Sequence, residues 1–320
     1  MRKRHRVRVA WLLAVVMTLS PSLAYSQPPA AHGASKSVPG AKVDLGYVTP
    51  ESVAAVVLHP RRVLTAPEAE MLPTEVITAA GKKTLDIDPL DIEQALLIVE
   101  PPSPGRPPQA GIVLRMANRL PEGRVLGPLW AQTEEGQLDG KPYRKPLETA
   151  GFGIFRADDR TLVVADEGLL RKMLANHAKP APGAVSKLLG AMQPVPDATA
   201  VLAVEPLRPL AAAALSQAPL PPPLAEAAKL PELVQSVVVR ADFTGAMAMS
   251  LSVRATDERA AGEVAEIIDH AIAMGKQLIA AQIAMESRSD DSVQQAMAKY
   301  SRRISERMLE ALRPVRKGDT

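Results

Sequence analysis

Two apolar runs of this chain end in the same way, on side chains that could share chemistry. His59 and Arg62 close the run from Val53 to Leu58, and Glu205 and Arg208 close the run from Thr199 to Val204. Each run is stopped by a proline, Pro60 or Pro206, with the arginine two residues beyond it. An imidazole facing a carboxylate can move a proton, and paired guanidinium groups can hold an anionic ligand. A general base works only with partners in hydrogen-bond reach. The pattern therefore defines a candidate ligand cleft of His59, Arg62, Glu205 and Arg208, on condition that the fold brings the two strand ends together. Solvated charges at strand ends are the plainer reading.

Other searches for chemistry return nothing. His5 lies in the basic start of the chain and His32 in a Pro/Ala/Gly/Ser-rich stretch, while His59, His177 and His270 are too far apart for metal-ligand spacing. Asp86-Ile87-Asp88-Pro89-Leu90-Asp91 has the acidic look of a calcium loop but lacks its central glycine and terminal glutamate. Helix capping explains it better: Asp88 as N-cap, Pro89 at the first helical position and Asp91 in the first turn. There is no Gly-x-Ser-x-Gly elbow, no Ser-x-x-Lys with its companion elements, no phosphate-cradling Gly-x-x-x-x-Gly-Lys loop and no cysteine. The sequence assigns no catalytic residue, no metal ligand and no cofactor.

The matched runs extend into an internal self-similarity. Val53 to Arg62 resembles Thr199 to Arg208, Ile92 to Val99 resembles Leu233 to Arg240, and Ala110 to Arg115 resembles Met247 to Val253, in the same order along the chain. The expected build is α+β: two related strand-helix-strand-strand-helix units with antiparallel sheets, over residues 46–190 and 191–286, followed by long C-terminal helices.

Local signals fill in the first unit. Helical spacing runs from Pro67 to Ala80, with Gly81 where a helix stop belongs. The proline-rich stretch from Pro101 to Pro108 reads as a surface loop between two strands, because proline removes ladder donors. Asp139-Gly140 marks a hairpin, and Gly151 to Arg156 with Thr161 to Ala165 forms a second. Asp166 is placed to cap a helix from Glu167 to Ala175, with Leu169, Leu170, Met173 and Leu174 on one face. In the second unit, Leu220-Pro221-Pro222-Pro223 is a surface break between helical segments.

The ends of the chain carry different information. Arg2, Lys3, Arg4, Arg6 and Arg8 precede an apolar run from Val9 to Leu19 and the small-residue site Ala24-Tyr25-Ser26. This is the pattern of a secretory signal peptide over residues 1–26, cleaved between Ser26 and Gln27. The apolar run falls short of the roughly 20 residues a membrane span needs, so membrane attachment is expected only if the signal stays uncleaved. Residues 27–45 read as a flexible linker. Asp257 to Glu286 is free of proline and helical in spacing, and a second helix from Val293 to Leu312 carries a narrow stripe of Met297, Tyr300, Ile304, Met308 and Leu312. In the segment 287–320 that stripe covers a sheet or, alternatively, forms a homo-oligomer contact.

Composition sets limits on partners. The 320 residues are 47% hydrophobic and 23% charged with net charge +3, and losing residues 1–26 removes five basic groups and no acid, leaving about −2. Nucleic-acid binding loses its electrostatic basis, and 3% aromatic residues leave little for base stacking or sugar platforms. Without cysteine there are no disulfides, so stability comes from a packed aliphatic core.

The runs Val56 to Arg62, Asp88 to Gln94 and Asp159 to Val164 resemble uncharacterised secreted proteins of planctomycete bacteria, over most of the mature chain. The resemblance implies export and a repeated α+β build, and it carries no activity, catalytic residue or cofactor across. Two functions remain in view. One is an exported, periplasmic or extracellular, non-enzymatic protein that binds a protein partner or serves the cell envelope; the other is a small-ligand receptor or hydrolase with its site between the two units. Convergence of the four cleft residues would favour the second, and apolar exposed helix faces the first.

Overall fold

Strand pairing begins where the β-branched runs are densest. In the computed structural model, which describes residues 42–67, 73–103, 107–121, 126–148, 151–218, 220, 222–243, 248–286 and 318–320, ten strands form one antiparallel sheet. They are β1 (Ala54–Leu58), β2 (Ile92–Glu100), β3 (Gln109–Met116), β4 (Thr133–Leu138), β5 (Lys141–Pro146), β6 (Gly153–Arg156), β7 (Thr161–Ala165), β8 (Ala198–Ala203), β9 (Val234–Asp242) and β10 (Ala248–Ala255). Their order across the sheet is β10-β9-β8-β1-β2-β3-β7-β6-β5-β4.

The α+β class and the antiparallel pairing agree with expectation; two separate sheets do not. β1 and β8, the opening strands of the two expected units, pair with each other from Ala54↔Leu202 to Leu58↔Ala198. The reason is compositional. Apart from Thr199 both strands are apolar on both faces, so neither is suited to an edge, and each covers the other's open backbone.

The described α-helices are α1 (Pro60–Thr65), α2 (Thr74–Leu85), α3 (Gly127–Trp130), α4 (Glu167–Ala178), α5 (Ala184–Ala191), α6 (Arg208–Gln217), α7 (Leu230–Leu233) and α8 (Glu258–Glu286), with short 3-10 turns between elements. On one face of the sheet the main core joins Ala55, Val57, Leu96, Ile98, Val163, Val201, Ala203 and Val238 to Leu169, Leu170 and Met173 of α4 and Val185 and Leu189 of α5. This core draws on both expected units, so it binds them into one body. A second cluster on the opposite face packs Leu114, Met116, Ile154, Leu162 and Val164 against Ile87, Leu120 and Leu126.

Short-range chemistry explains several boundaries. The Asp166 carboxylate accepts from Leu169 N–H at 3.0 Å and starts α4 as expected, and α4 continues to Ala178. Asp139 and Gly140 both have positive φ, 51° and 77°, the tight turn that joins β4 to β5. Asp88 accepts from Leu90 N–H at 2.9 Å and caps a single 3-10 turn, Pro89–Asp91. Gly81, expected as a helix stop, instead lies inside α2, which ends at Asp86 in the left-handed region with φ 58°. A Cβ on Gly81 would sit 2.5 Å from Pro89 Cγ, so the glycine admits close packing rather than ending the helix.

The expected signal peptide, its cleavage site, most of the linker and the helix from Val293 to Leu312 lie outside the described residues. The linker's last residues belong to the fold: Val43 is buried in the main core, and Asp44 caps the turn Leu45–Tyr47. Residues 42–267 with 318–320 belong to one compact unit, and residues 268–286, the later turns of α8, to another. Among the described residues no helix is long and apolar enough to cross a membrane.

Candidate functional site

The four cleft residues do not converge. His59 follows β1 at the level of Asp197, whose carbonyl accepts from His59 N–H at 2.8 Å. Glu205 follows β8 beyond Ala203, whose N–H bonds Val53 carbonyl at 2.8 Å. They lie off opposite ends of one antiparallel ladder whose end levels, at Asp197 and Ala203, are six residue steps or about 20 Å apart. Arg62 and Arg208 separate in the same way: Arg62 pairs with Asp197, while the Arg208 Nε donates to Pro231 carbonyl at 2.9 Å. Antiparallel pairing of two like strands sends their C-terminal ends apart, so residues matched by sequence are placed far from each other.

His59 and Arg62 instead enter a buried structural cluster. Asp197 is fully buried and takes Arg62 Nη2 at 2.8 Å on one oxygen and Phe243 N–H at 2.8 Å on the other. The His59 ring is fully buried, with Nε2 3.1 Å from the Gln94 side-chain amide. Burial first, and the Arg62 cation second, hold the imidazole below its ordinary 6.5; the carbonyls of Asp197 and Pro196 and the Asp197 charge oppose this. Gln94, His59 and Asp197 are cross-strand neighbours and tie β2, β1 and the entry to β8 together.

A second polar group sits near the other end of the same face. The buried Glu100 accepts from Thr49 Oγ1 at 2.6 Å and pairs with Lys172 Nζ at 2.7 Å, and Thr49 bonds Ser52 at 2.8 Å. An open depression of about 320 Å³ beside it is lined by Thr49, Pro50, Glu51, Lys172, Ala175, Asn176 and Lys179. Several of its polar groups are occupied, Thr49 and Lys172 by Glu100 and Asn176 by the carbonyls of Gly46 and Val48 and by Ala181 N–H, while Glu51 and Lys179 lie at its rim. Among the described residues no group of His, Asp and Glu is arranged to hold a metal ion.

The remaining feature is apolar, and Ala95, at one end of it, packs against the second cluster. Behind the main core, three cross-strand rows run in register across β2, β1, β8, β9 and β10. They read Ala95-Leu58-Ala198-Ala241-Met249, Leu97-Val56-Ala200-Val239-Leu251 and Val99-Ala54-Leu202-Val237-Val253. No polar side chain interrupts them. The row members on β2, β1, β8 and β9 are half-buried, whereas on β10 Met249 is 70% and Leu251 59% exposed. Neighbouring apolar groups of this size in water mark interaction surfaces. The sequence showed the runs from Leu233 and Met247 as strands, but their alignment into rows depends on sheet order and register, which no single run carries.

No protein-family model matches the chain, no curated protein resembles it significantly in sequence, and no solved structure matches its fold significantly.

Proposed function

We propose that this chain is an exported, non-enzymatic binding protein that presents the apolar rows ending on β10 to a partner. The observation that carries this reading is the pair Met249 and Leu251, 70% and 59% exposed at the open end of three uninterrupted apolar rows. The ionisable clusters favour it by contrast. In each the buried carboxylate is paired, Asp197 with Arg62 and Glu100 with Lys172.

The address belongs to the same proposal, resting on the basic, apolar and small-residue sections of residues 1–26 and on the resemblance to secreted proteins. The exported chain is expected to begin at Gln27, which the mass of the secreted protein checks directly.

Duplication is also part of the proposal. Ala55 and Val201, equated by the sequence match, lie directly opposite each other, so an approximate two-fold axis passes between them. Ala55 also pairs with Ile98 while Val201 pairs with Val238. The sheet therefore equates Ile98 with Val238, one residue from the sequence match, and only this register keeps both on the core face.

The test is a photoreactive amino acid at Leu251, and separately at Val76 of α2, which is 65% exposed but outside the rows. In the native host, Leu251 is expected to give a discrete crosslinked product that Met249→Lys abolishes. Equal products from both positions, or none, would sink the reading.

A further inference from the structure

The two edges of the sheet are built differently. β4, at one edge, places Glu134, Glu135 and Gln137 along its length, the charged dressing that keeps an edge strand from pairing. β10, at the other edge, has no acidic residue, and no strand lies beyond it among the described residues. Its one charged side chain, Arg254, is paired with Asp319 at 3.0 Å, and Asp319 carbonyl also accepts from Ala255 N–H at 2.9 Å. The tail thus closes the last position of the strand, and among the described residues no strand pairs with the outer edge from Ala248 to Arg254.

That stretch is self-complementary. With Leu251 on a two-fold axis, an antiparallel second copy sets Leu251 against Leu251, Met249 against Val253, Ser250 against Ser252 and Ala248 against Arg254. No like charges meet, every apolar row meets an apolar row, and the two serines can exchange a hydrogen bond. Any other register leaves part of the seven-residue stretch unpaired. β1 and β8 already join by the same antiparallel pairing of apolar strands within the chain.

We propose that β10 pairs with β10 of a second copy of this chain, extending the apolar rows across a two-fold axis. The proposal rests on the reading of these rows as a binding surface and names the partner. A strand pair this short buries less than the roughly 1,600 Å² of a standard interface, so the dimer is weak and concentration-dependent.

The chain has no cysteine, which makes Leu251→Cys a clean probe. Directly opposed antiparallel residues have Cα atoms about 4.5–5.5 Å apart, within the roughly 4.4–6.8 Å span of a disulfide. Oxidation of the exported L251C chain at high concentration is expected to give a covalent dimer, while Val76→Cys stays monomeric. Leu251→Lys and Leu251→Glu should each weaken self-association at least about tenfold by opposing like charges, and an equimolar mixture of the two should restore it. L251C crosslinking no faster than V76C, or a Lys/Glu mixture that remains monomeric, would overturn the pairing. If the photoreactive residue at 251 still yields a discrete product with another protein, self-pairing alone has failed; if it yields none, the binding surface itself has failed.

Discussion

Over the part of the sheet formed by β2, β1, β8, β9 and β10, both faces are apolar and they are differently finished. On one, Leu169, Leu170 and Met173 of α4 and Leu189 of α5 are fully buried against Ala55, Leu96, Ile98 and Val201. On the other, the rows across β2, β1, β8 and β9 stay half-buried and end in the exposed Met249 and Leu251. Apolar content alone therefore does not say where a core is. What distinguishes the two faces among the described residues is whether helices of sufficient length are laid across them.

That contrast predicts unequal costs for substitutions on the two faces. The largest falls on the covered face, where removing Asp197 strands the Arg62 charge and Phe243 N–H. Asp197→Ala is expected to destabilise by about 3–5 kcal/mol, read as a lowered urea midpoint. Leu170→Ala in the same core should cost about 2–5 kcal/mol. If either were neutral by chemical denaturation, the covered face would not be the one that holds the fold.

The next effect is a pH dependence. His59 is held below its ordinary 6.5 in the fold, so the unfolded chain takes up the proton first as pH falls. Stability from the neutral ring is complete above roughly pH 6.5 and is lost below it, down through the folded value. Acid titration of thermal stability should therefore show a loss that His59→Gln flattens, and an unchanged slope in that variant would remove His59 from the account. The smallest effect is at the open edge. Leu251→Lys should change monomer stability by no more than about 0.5 kcal/mol, since it vacates no core. A drop of several kcal/mol in its denaturation curve would mean that Leu251 is already packed.

Much of this fold was legible because local rules act within a few residues. Asp166 and Asp88 were readable as caps and Asp139-Gly140 as a turn, because each satisfies backbone groups next to it in sequence. Gly81 misled because its role is to admit Pro89, a contact set by how α2 packs on the following turn. The register of β9 was legible only to within one residue, since Val234 to Val239 is apolar on both faces apart from Gln235 and Ser236 and gives periodicity little to choose between. The cleft expectation failed for a topological reason: like strands paired antiparallel carry His59 and Glu205 to opposite ends. Asp197 escaped notice because its value lies in what the chain brings to it from Arg62 and Phe243, far away in sequence.

The most direct test is amide hydrogen exchange along β10 of the purified protein, measured at low and high protein concentration with β1 and β8 as internal references. An open edge that pairs on association predicts fast exchange, when dilute, at the alternate N–H groups between Ala248 and Arg254 that face away from β9, slowing as concentration rises, while those bonded to β9 and those of β1 and β8 stay protected throughout. Protection of β10 equal to that of β1 and β8 at every concentration would contradict it, because the edge would then already be covered within a single chain.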